Sequence, residues 1–122
     1  MCSSDLSFLT VPSAFTVRTG EAHWHTLLRA RAIENGCYIF AAAQAGKHES
    51  GRECYGHSLI VDPWGVVLAE GGVEPGVFLA RIDPAQVETA RKTVPSLQHG
   101  RRFSMADPKA GPEHLHLVRG SA

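Results

Sequence analysis

The apolar positions of the chain fall into short runs, and the first run occupies residues 8–11. It predicts a short buried strand, which Pro12 ends because proline has no amide hydrogen to donate within a sheet. Residues 1–6 are polar, and no cap, turn or helix introduces the strand. Five of them, Cys-Ser-Ser-Asp-Leu, are also what the DNA string TGC-TCT-TCC-GAT-CT encodes, which resembles the end of a sequencing adapter. We therefore expect residues 1–6 to be a non-native leader.

A helix and a second strand are predicted next. Thr19 or Gly20 can cap the start of the helix, and Asn35-Gly36 is a typical C-terminal stop. Residues 37–43 are then apolar at every position. Such a run is typical of a strand that is buried on both faces.

The middle of the chain predicts a polar loop and a hairpin. Residues 46–51 are expected to form the loop, because they are polar and glycine bounds them at both ends. The segment at residues 62–65, Asp-Pro-Trp-Gly, has proline and glycine where a β-turn prefers them. Residues 58–61 and 66–69 are therefore expected to be strands that pair across this turn.

The last predicted elements are a strand at residues 77–82 and a short helix at residues 83–93. Asp83 can cap this helix, and Pro84 suits its first position. The order strand, helix, strand, hairpin, strand, helix predicts the α/β (α+β) class with one mainly buried sheet.

Length and composition agree with a single globular domain. The chain has 122 residues, of which 43% are hydrophobic and 20% charged. We expect residues 7–94 to belong to one domain and residues 95–122 to form a partly loose C-terminal extension.

Charge and cysteine content exclude several classes of protein. Twelve Lys and Arg balance twelve Asp and Glu, so no net charge attracts nucleic acid or acidic lipid, and we expect neither as a partner. No apolar run approaches the roughly 20 residues that a membrane-spanning helix needs. Three cysteines disfavour a disulfide scaffold, so we expect a cytoplasmic location.

The histidines do not form a convincing metal site. His23 and His25 lie two residues apart on the predicted helix and point about 200° apart, so they cannot chelate one ion together. His114 and His116 lie in the tail without an acidic or thiol partner at ligand spacing. His57 enters a strand, where a hydrogen-bonded structural histidine is the expected role. We therefore predict no metal ligands.

The cysteines likewise show no sequence feature that identifies a catalytic nucleophile. Cys37 begins a strand that is buried on both faces, so a packed, inert thiol is expected there. Cys54 is expected to lie in a loop, where it could be reactive, but no neighbouring residue marks it as a nucleophile. Cys2 lies in the suspected leader.

Other polar and aromatic residues have structural interpretations. Glu34 follows Arg31 by three residues and Arg29 by five on the predicted helix. This spacing predicts a structural ion pair with one of the two arginines rather than a catalytic carboxylate. Trp64, two residues after Asp62, is expected to be a turn aromatic packed on the sheet.

Several short segments follow one another at a spacing typical of one enzyme family. Any one of them alone would be a weak signal, but together, from about Ser7 to Phe103, they resemble the C-terminal half of a nitrilase-superfamily carbon–nitrogen hydrolase. The similarity is greatest to the amidase branch, which acts on small ω-amides such as deaminated glutathione. The segments are Pro-Ser-Ala-Phe-Thr at residues 12–16, Ala-His-Trp at 22–24, Leu-Arg-Ala-Arg-Ala-Ile-Glu-Asn at 28–35, Ala-Ala-Ala-Gln at 41–44, Tyr-Gly-His-Ser at 55–58, Val-Asp-Pro-Trp-Gly at 61–65 and Ala-Arg-Ile-Asp at 80–83.

This resemblance implies a fold and a chemistry. The fold is a four-layer αββα sandwich, of which this chain would form the C-terminal part. A cysteine attacks the amide carbon, a glutamate acts as general base and a lysine stabilises the oxyanion. The resulting thioester is hydrolysed by water, with no metal and no cofactor. A homo-oligomer that acts on a small amide is implied for the full-length enzyme.

The catalytic residues of the family do not map onto this sequence. The glutamate and lysine belong to the first half, and the nucleophile precedes residues 12–16 by about one helix, in a Cys-Tyr-Asp-x-Arg-Phe turn. Cys54-Tyr55 repeats two letters of that turn, but Gly56-His57 follows and the pair lies on the wrong side of Pro12. Neither Cys54 nor Cys37 is therefore assigned as catalytic.

The resemblance does imply supporting roles. Residues 12–16 would lie near the substrate pocket, so Ser13, Ala14, Phe15 and Thr16 either line it or only shape the turn, and His23 and Trp24 would pack near the same site. Arg29, Arg31, Glu34, Asp62 and Trp64 are expected to hold the fold together.

Two functional hypotheses follow, together with a weaker third. The first is the C-terminal half of an amidase, inactive by itself. The second is a non-catalytic subunit that pairs with a full-length homologue through its sheet or helix. The third is a histidine-based metal protein. Half a sandwich leaves strand edges and apolar faces uncovered, so the isolated chain is expected to aggregate.

Overall fold

The computed structural model describes residues 6–95 and His99. The described part is an α+β structure with a four-stranded mixed sheet, a separate two-stranded sheet and two helices, which confirms the predicted class. In chain order the elements are β1 (Phe8–Thr10), α1 (Val17–Asn35), β2 (Tyr38–Ala41), β3 (Ala45–Lys47), β4 (Glu53–Tyr55), β5 (Leu59–Val61), β6 (Val67–Glu70) and α2 (Ala85–Thr93).

The four-stranded sheet has the order β1-β2-β5-β6. Strands β1 and β2 are parallel, with Leu9 opposite Ile39, and helix α1 makes the crossover between them. Strand β5 runs antiparallel to β2, with Phe40 opposite Ile60, and β6 returns antiparallel to β5. Strands β3 and β4 pair with each other as a separate hairpin.

Helix α1 covers one face of the sheet. Trp24, Leu28 and Ala32 follow one another at four-residue spacing, so they form one stripe along the helix, and each is almost completely buried. Arg31, three residues after Leu28, lies outside this stripe on the exposed surface. The stripe packs on a sheet surface formed by Cys37, Ile39, Ala41, Leu59 and Val61.

Helix α1 begins earlier than predicted. Thr16 is its N-cap, so Thr19 and Gly20 lie inside the helix and do not cap it. The glycine has a packing role instead, because a Cβ at position 20 would lie 2.2 Å from Cγ of Tyr55. The predicted stop is confirmed, since Gly36 adopts the left-handed conformation with φ of 53° that ends many helices.

Strand β1 is shorter and less buried than predicted. It lies at the edge of the sheet, and Phe8 is 45% exposed. Strand β2 is the central strand that the apolar run predicted, but it covers only four residues of that run, and Ala42 beyond it is exposed.

The predicted loop at residues 46–51 is confirmed only in part, because residues 48–52 connect two strands and Gly46 and Lys47 belong to the first of these strands. Lys47 pairs with Glu53 and Ala45 with Tyr55, so β3 and β4 form a hairpin around this segment. Most of its side chains are exposed. Cys54 is the one fully buried residue of the two strands, so the hairpin lacks the apolar alternation by which a strand is detected.

The predicted hairpin at residues 62–65 is confirmed. The amide of Gly65 donates to the carbonyl of Asp62 at 3.0 Å, which closes the turn. One carboxylate oxygen of Asp62 accepts the amides of Trp64 and Val66 at 2.9 and 2.8 Å. The indole of Trp64 is 57% exposed, so it covers the sheet far less than predicted.

Residues 77–82 do not form the predicted strand. The segment has no regular secondary structure, and its apolar side chains at Val77 and Leu79 are more than four-fifths exposed. Helix α2 is present, but it begins at Ala85 and its N-cap is Pro84 rather than the predicted Asp83. Asp83 Oδ1 accepts the amide of Ala85 at 3.0 Å from just before the helix. The hydroxyl of Tyr38 lies 2.9 Å from the carbonyl of Asp83, which ties α2 to the central strand.

Two domain predictions involve residues at the ends of the chain. The suspected leader lies outside the described residues apart from Leu6, and so does the extension at residues 95–122 apart from Pro95 and His99. No helix within the described residues is long and apolar enough to cross a membrane.

Candidate functional site

The loop that follows β1 continues the sheet beyond the end of the strand. The amide of Ser13 donates to the carbonyl of Ala42 at 3.0 Å, and the amide of Gln44 donates to the carbonyl of Ser13 at 2.9 Å. Ser13 and Ala43 thus form an isolated parallel bridge. These bonds hold residues 12–14 beside the end of β2.

The second part of the loop is bound to the β3–β4 hairpin. The amide of Tyr55 donates to the carbonyl of Phe15 at 2.9 Å, and Nη2 of Arg52 donates to the carbonyl of Ala14 at 3.0 Å. Thr16 and Cys54 form an antiparallel bridge. We call residues 12–16 the ledge, since they form a shelf held by β2 on one side and by the hairpin on the other.

A cavity of about 500 Å³ opens beside the ledge, and we call it the Ser13 groove. Only two of its lining residues carry polar side chains, Ser13 and Gln44. The hydroxyl and the carboxamide can each donate and accept a hydrogen bond. A mostly apolar groove with a few polar groups is typical of small-molecule sites. The lining is completed by Pro12, Ala14, Ala42 and Ala43.

A second cavity of about 610 Å³ lies on the face of the sheet opposite α1, and we call it the sheet-face groove. It shares Pro12 and Ala42 with the Ser13 groove, so the two are neighbours. Its remaining lining is almost wholly apolar. Among these residues are Phe40, Ile60, Val77 and Phe78.

The six residues predicted to line a pocket fall into three groups. Ser13 and Ala14 border the Ser13 groove. Phe15 packs on Trp24 with 5.1 Å between the ring centroids, and Trp24 is 2% exposed. Its indole N–H donates to the carbonyl of His57 at 2.7 Å. The two aromatic residues therefore support the ledge from the core.

The remaining two predicted residues, Thr16 and His23, belong to the N-terminal part of α1. Thr16 is the N-cap, and its hydroxyl lies 2.9 Å from that of Thr19. His23 is exposed on the helix.

The predicted structural residues have distinct partners. Nη1 of Arg31 lies 2.8 Å from Oε2 of Glu34, so Arg31 is the partner in the expected ion pair, although both side chains are more than half exposed. Arg29 does not pair with Glu34 in this way. Its Nε–H donates to the carbonyl of Gly65 at 2.7 Å and so connects α1 to the β5–β6 turn.

Both described cysteines are buried. Cys37 is 1% exposed, as predicted. Cys54 is 2% exposed on β4, so its prediction as a loop cysteine is wrong. Its sulfur lies 3.1 Å from Nε2 of His48 across the hairpin. His48 and Cys54 are six residues apart in the sequence, and this spacing indicates a contact only when the hairpin that brings them together is known.

Two further histidines form a small cluster that the sequence did not predict. Nε2 of His25 lies 2.9 Å from the carboxylate of Glu70, and the ring stands edge-on to His57. His57 has φ of 60°, and its Nδ1 lies 2.7 Å from the carbonyl of Tyr55, so it has the hydrogen-bonded structural role that was expected. Among residues 6–95 and 99, no three histidine, cysteine or acidic side chains are grouped so that they could hold a metal ion.

Comparison with known proteins gives a consistent result. A model of the carbon–nitrogen hydrolase family matches residues 5–92. The deaminated glutathione amidase of Synechocystis is 53% identical over 91 residues, which are 75% of this chain and 34% of that protein. The bovine deaminated glutathione amidase is 56% identical over 93 residues, 76% of this chain and 28% of that protein.

The fold is similar to solved structures as well. The crystal structure of the Caenorhabditis elegans NitFhit protein matches with a TM-score of 0.74 and 53% identity, over 78% of this chain and 23% of that chain. The chain thus spans about a third of the length of the curated relatives that it matches.

Proposed function

The chain belongs to the carbon–nitrogen hydrolase family, and on this premise we propose that it forms the C-terminal part of an amidase domain. The reaction converts a small linear amide and water into an acid and ammonia, or into an acid and an amine where the amide nitrogen is substituted. The amidase names of the curated relatives support this activity over a non-catalytic subunit.

The catalytic cysteine, glutamate and lysine of this proposal come from a part of the hydrolase domain outside these 122 residues. The cysteine sulfur bonds to the amide carbon, the carbon–nitrogen bond breaks, and the leaving nitrogen takes up a proton. Water, activated by the glutamate, then releases the acid and restores the thiol. The burial of Cys37 and Cys54 supports this assignment, because a nucleophile must reach its substrate.

This chain contributes one wall of the substrate pocket. The observation that carries the proposal is the Ser13 groove, in which Ser13 of the ledge and Gln44 border an otherwise apolar channel next to an open sheet face. Ser13 and Ala14 touch the substrate in this proposal, while Phe15, Thr16 and Trp24 hold the ledge in place. His23 belongs to the surroundings of the same pocket in this proposal.

The proposed setting is the cytoplasm, and the full-length protein is a homo-oligomer that takes small amides rather than nucleic acid or membrane lipid. The balance of twelve basic and twelve acidic residues supports the exclusion of polyanionic partners. The odd number of cysteines supports a reducing compartment.

A fusion protein tests the proposal. The part of the Synechocystis relative that precedes the matched region is joined to residues 7–122 of this chain, and ammonia or amine release is measured with a panel of ω-amides. We expect the 122-residue chain alone to be inactive and the fusion to be active.

Cys54→Ala is the control, made in both the isolated chain and the fusion. The fusion should keep its activity with this substitution, since Cys54 is not the proposed nucleophile. A folded but inactive fusion would contradict the proposed function. Activity of the isolated chain that Cys54→Ala abolishes would show that the catalytic cysteine had been assigned to the wrong part of the protein.

A further inference from the structure

The pairing of β2 with β5 ends where the wall of the Ser13 groove begins. Ala41 lies opposite Leu59 in the last pair of these antiparallel strands, so a continued register would place Ala43 opposite His57. The chain does not continue in this way, because Gly56 and His57 both have positive φ, of 72° and 60°. A positive φ is uncommon for a residue other than glycine, and such residues are often found at functional sites.

The backbone of His57 has other partners. Its amide donates to the carbonyl of Gly72 at 3.0 Å, and its carbonyl accepts the indole N–H of Trp24 at 2.7 Å. The amide of Ala43 donates instead to the hydroxyl oxygen of Ser58 at 3.0 Å. A side chain thus supplies the acceptor that the carbonyl of a neighbouring strand supplies within a sheet.

This hydrogen bond holds the wall of the groove at the point where the wall meets the ledge. Ala43 lines the Ser13 groove and forms the isolated bridge with Ser13, and the residues on either side of Ala43 are hydrogen-bonded to Ser13 as well. Ser58 lies outside this groove, in the lining of the sheet-face groove. Its hydroxyl therefore anchors the wall without lining the Ser13 groove.

The wall depends on its backbone for its shape. Ala42 and Ala43 have only methyl side chains, so the positions of their backbone atoms decide how wide the groove is. The contact between Ala43 and Ser58 is part-buried. Loss of the hydroxyl would leave an amide without its acceptor in a place that water reaches poorly, which costs more than the same loss at an open surface.

We infer that Ser58 is a positioning residue, whose hydroxyl fixes the backbone of Ala43 and thereby the shape of the Ser13 groove. The inference rests on the proposed amidase function. It adds a residue that affects substrate binding without touching the substrate, because it acts through Ala43 on the wall to which the ledge is bound.

The experiment uses the active fusion protein and the ω-amide that it hydrolyses fastest. Ser58→Ala removes the acceptor, whereas Ser58→Thr keeps a hydroxyl at the same position. Ser50→Ala removes an exposed hydroxyl from the loop between β3 and β4 and is the matched control. The measurements are kcat, KM and the hydrogen exchange of a peptide that contains residues 42–44, followed by mass spectrometry.

We expect Ser58→Ala to raise KM about tenfold and to leave kcat nearly unchanged, because the wall acts on binding rather than on the reacting bond. A tenfold change corresponds to about 1.4 kcal/mol, which is within the range of one hydrogen bond. The amide of Ala43 should exchange about tenfold faster, since an amide exchanges when its hydrogen bond opens. Ser58→Thr should restore both values, and Ser50→Ala should behave as the unchanged fusion.

Three results would overturn the inference. A lower apparent kcat with an unchanged KM would mean that Ser58→Ala only reduces the amount of folded protein. Unchanged exchange at residues 42–44 would mean that the hydroxyl does not hold the wall. A KM that stays high in Ser58→Thr although exchange is restored would separate substrate binding from this hydrogen bond. A folded fusion that hydrolyses no amide before any substitution would contradict the proposed function itself, and this inference with it.

Discussion

The two faces of the four-stranded sheet differ in what covers them. On one face, Trp24 and Leu28 of α1 pack on Ile39 and Val61, and all four side chains are almost completely buried. On the other face, Phe40 and its neighbours line a groove of about 610 Å³. Both surfaces are apolar, so apolar character alone does not distinguish them.

The difference follows from where the covering element lies in the sequence. Helix α1 connects β1 to β2. The same segment that links these two strands therefore packs on the first face of the sheet and covers it. A parallel pair of strands requires such a crossover. The second face is covered at one end by α2, through the contact of Asp83 with Tyr38, and its centre is open in the described residues. In the proposed amidase, the rest of the hydrolase domain packs there.

The largest expected effect concerns self-association of the isolated chain. An exposed apolar surface of this kind promotes aggregation, so the 122-residue chain should form large species in size-exclusion chromatography with light scattering. Val77→Lys adds charge to the open face and should reduce their amount strongly, whereas Leu27→Lys on the outer side of α1 should not. A monodisperse monomer that unfolds cooperatively would contradict the contrast between the two faces.

The next effect is a cavity in the covered face. Trp24→Ala should lower the free energy of unfolding by about 3–5 kcal/mol, because it removes a buried ring and leaves the carbonyl of His57 without its donor. Trp64→Ala is the matched control, and since that indole is mostly exposed its effect should stay within about 0.5 kcal/mol. Urea unfolding of the fusion, followed by circular dichroism, measures both. Similar losses for the two tryptophans would disprove the assignment of the core.

A smaller effect is expected where α1 approaches the hairpin. Gly20→Ala should cost about 1–3 kcal/mol, because its Cβ would overlap the Tyr55 ring and force the hairpin away from the helix. Gly72→Ala has no atom within 4 Å of the new Cβ and should be nearly neutral. If thermal unfolding shows equal stability for the two variants, the close contact between α1 and β4 is not required for the fold.

The smallest effects distinguish two arginines of α1. Arg29→Ala removes the hydrogen bond to Gly65 that joins the helix to the β5–β6 turn, and should cost roughly 1 kcal/mol. Arg31→Ala removes an exposed ion pair and should cost less than about 0.5 kcal/mol. The same urea titration ranks the two variants by their free energy of unfolding. A larger loss for Arg31→Ala than for Arg29→Ala would show that the exposed ion pair stabilises the fold more than its exposure to water suggests.

Local sequence patterns predicted the elements that depend on local chemistry. The proline and glycine of residues 62–65 predicted the β5–β6 turn, and Asn35-Gly36 predicted the end of α1, because the favoured backbone conformations belong to these residues themselves. The predicted strand at residues 77–82 failed for the opposite reason. Its apolar residues favour a strand, but a strand also needs a hydrogen-bonded neighbour, and the described residues supply none.

The candidate site was predicted in part. The family resemblance singled out the ledge, and the structure brings Ser13 and Ala14 to a groove there. The roles of Gln44 and Arg52 were not apparent, because the hairpin that carries Arg52 to the ledge has no apolar alternation.

The sequence by itself determined the α+β class, the family and the positions of the best-defined turns, since these depend on residues close together in the chain. Only the tertiary structure decided which apolar face is covered, which arginine reaches the ledge and which aromatic side chain is buried. Trp24 and Trp64 are chemically identical, and one is core while the other is mostly exposed. The physical reason is that burial depends on what packs against a residue from distant parts of the chain, and no local pattern records that.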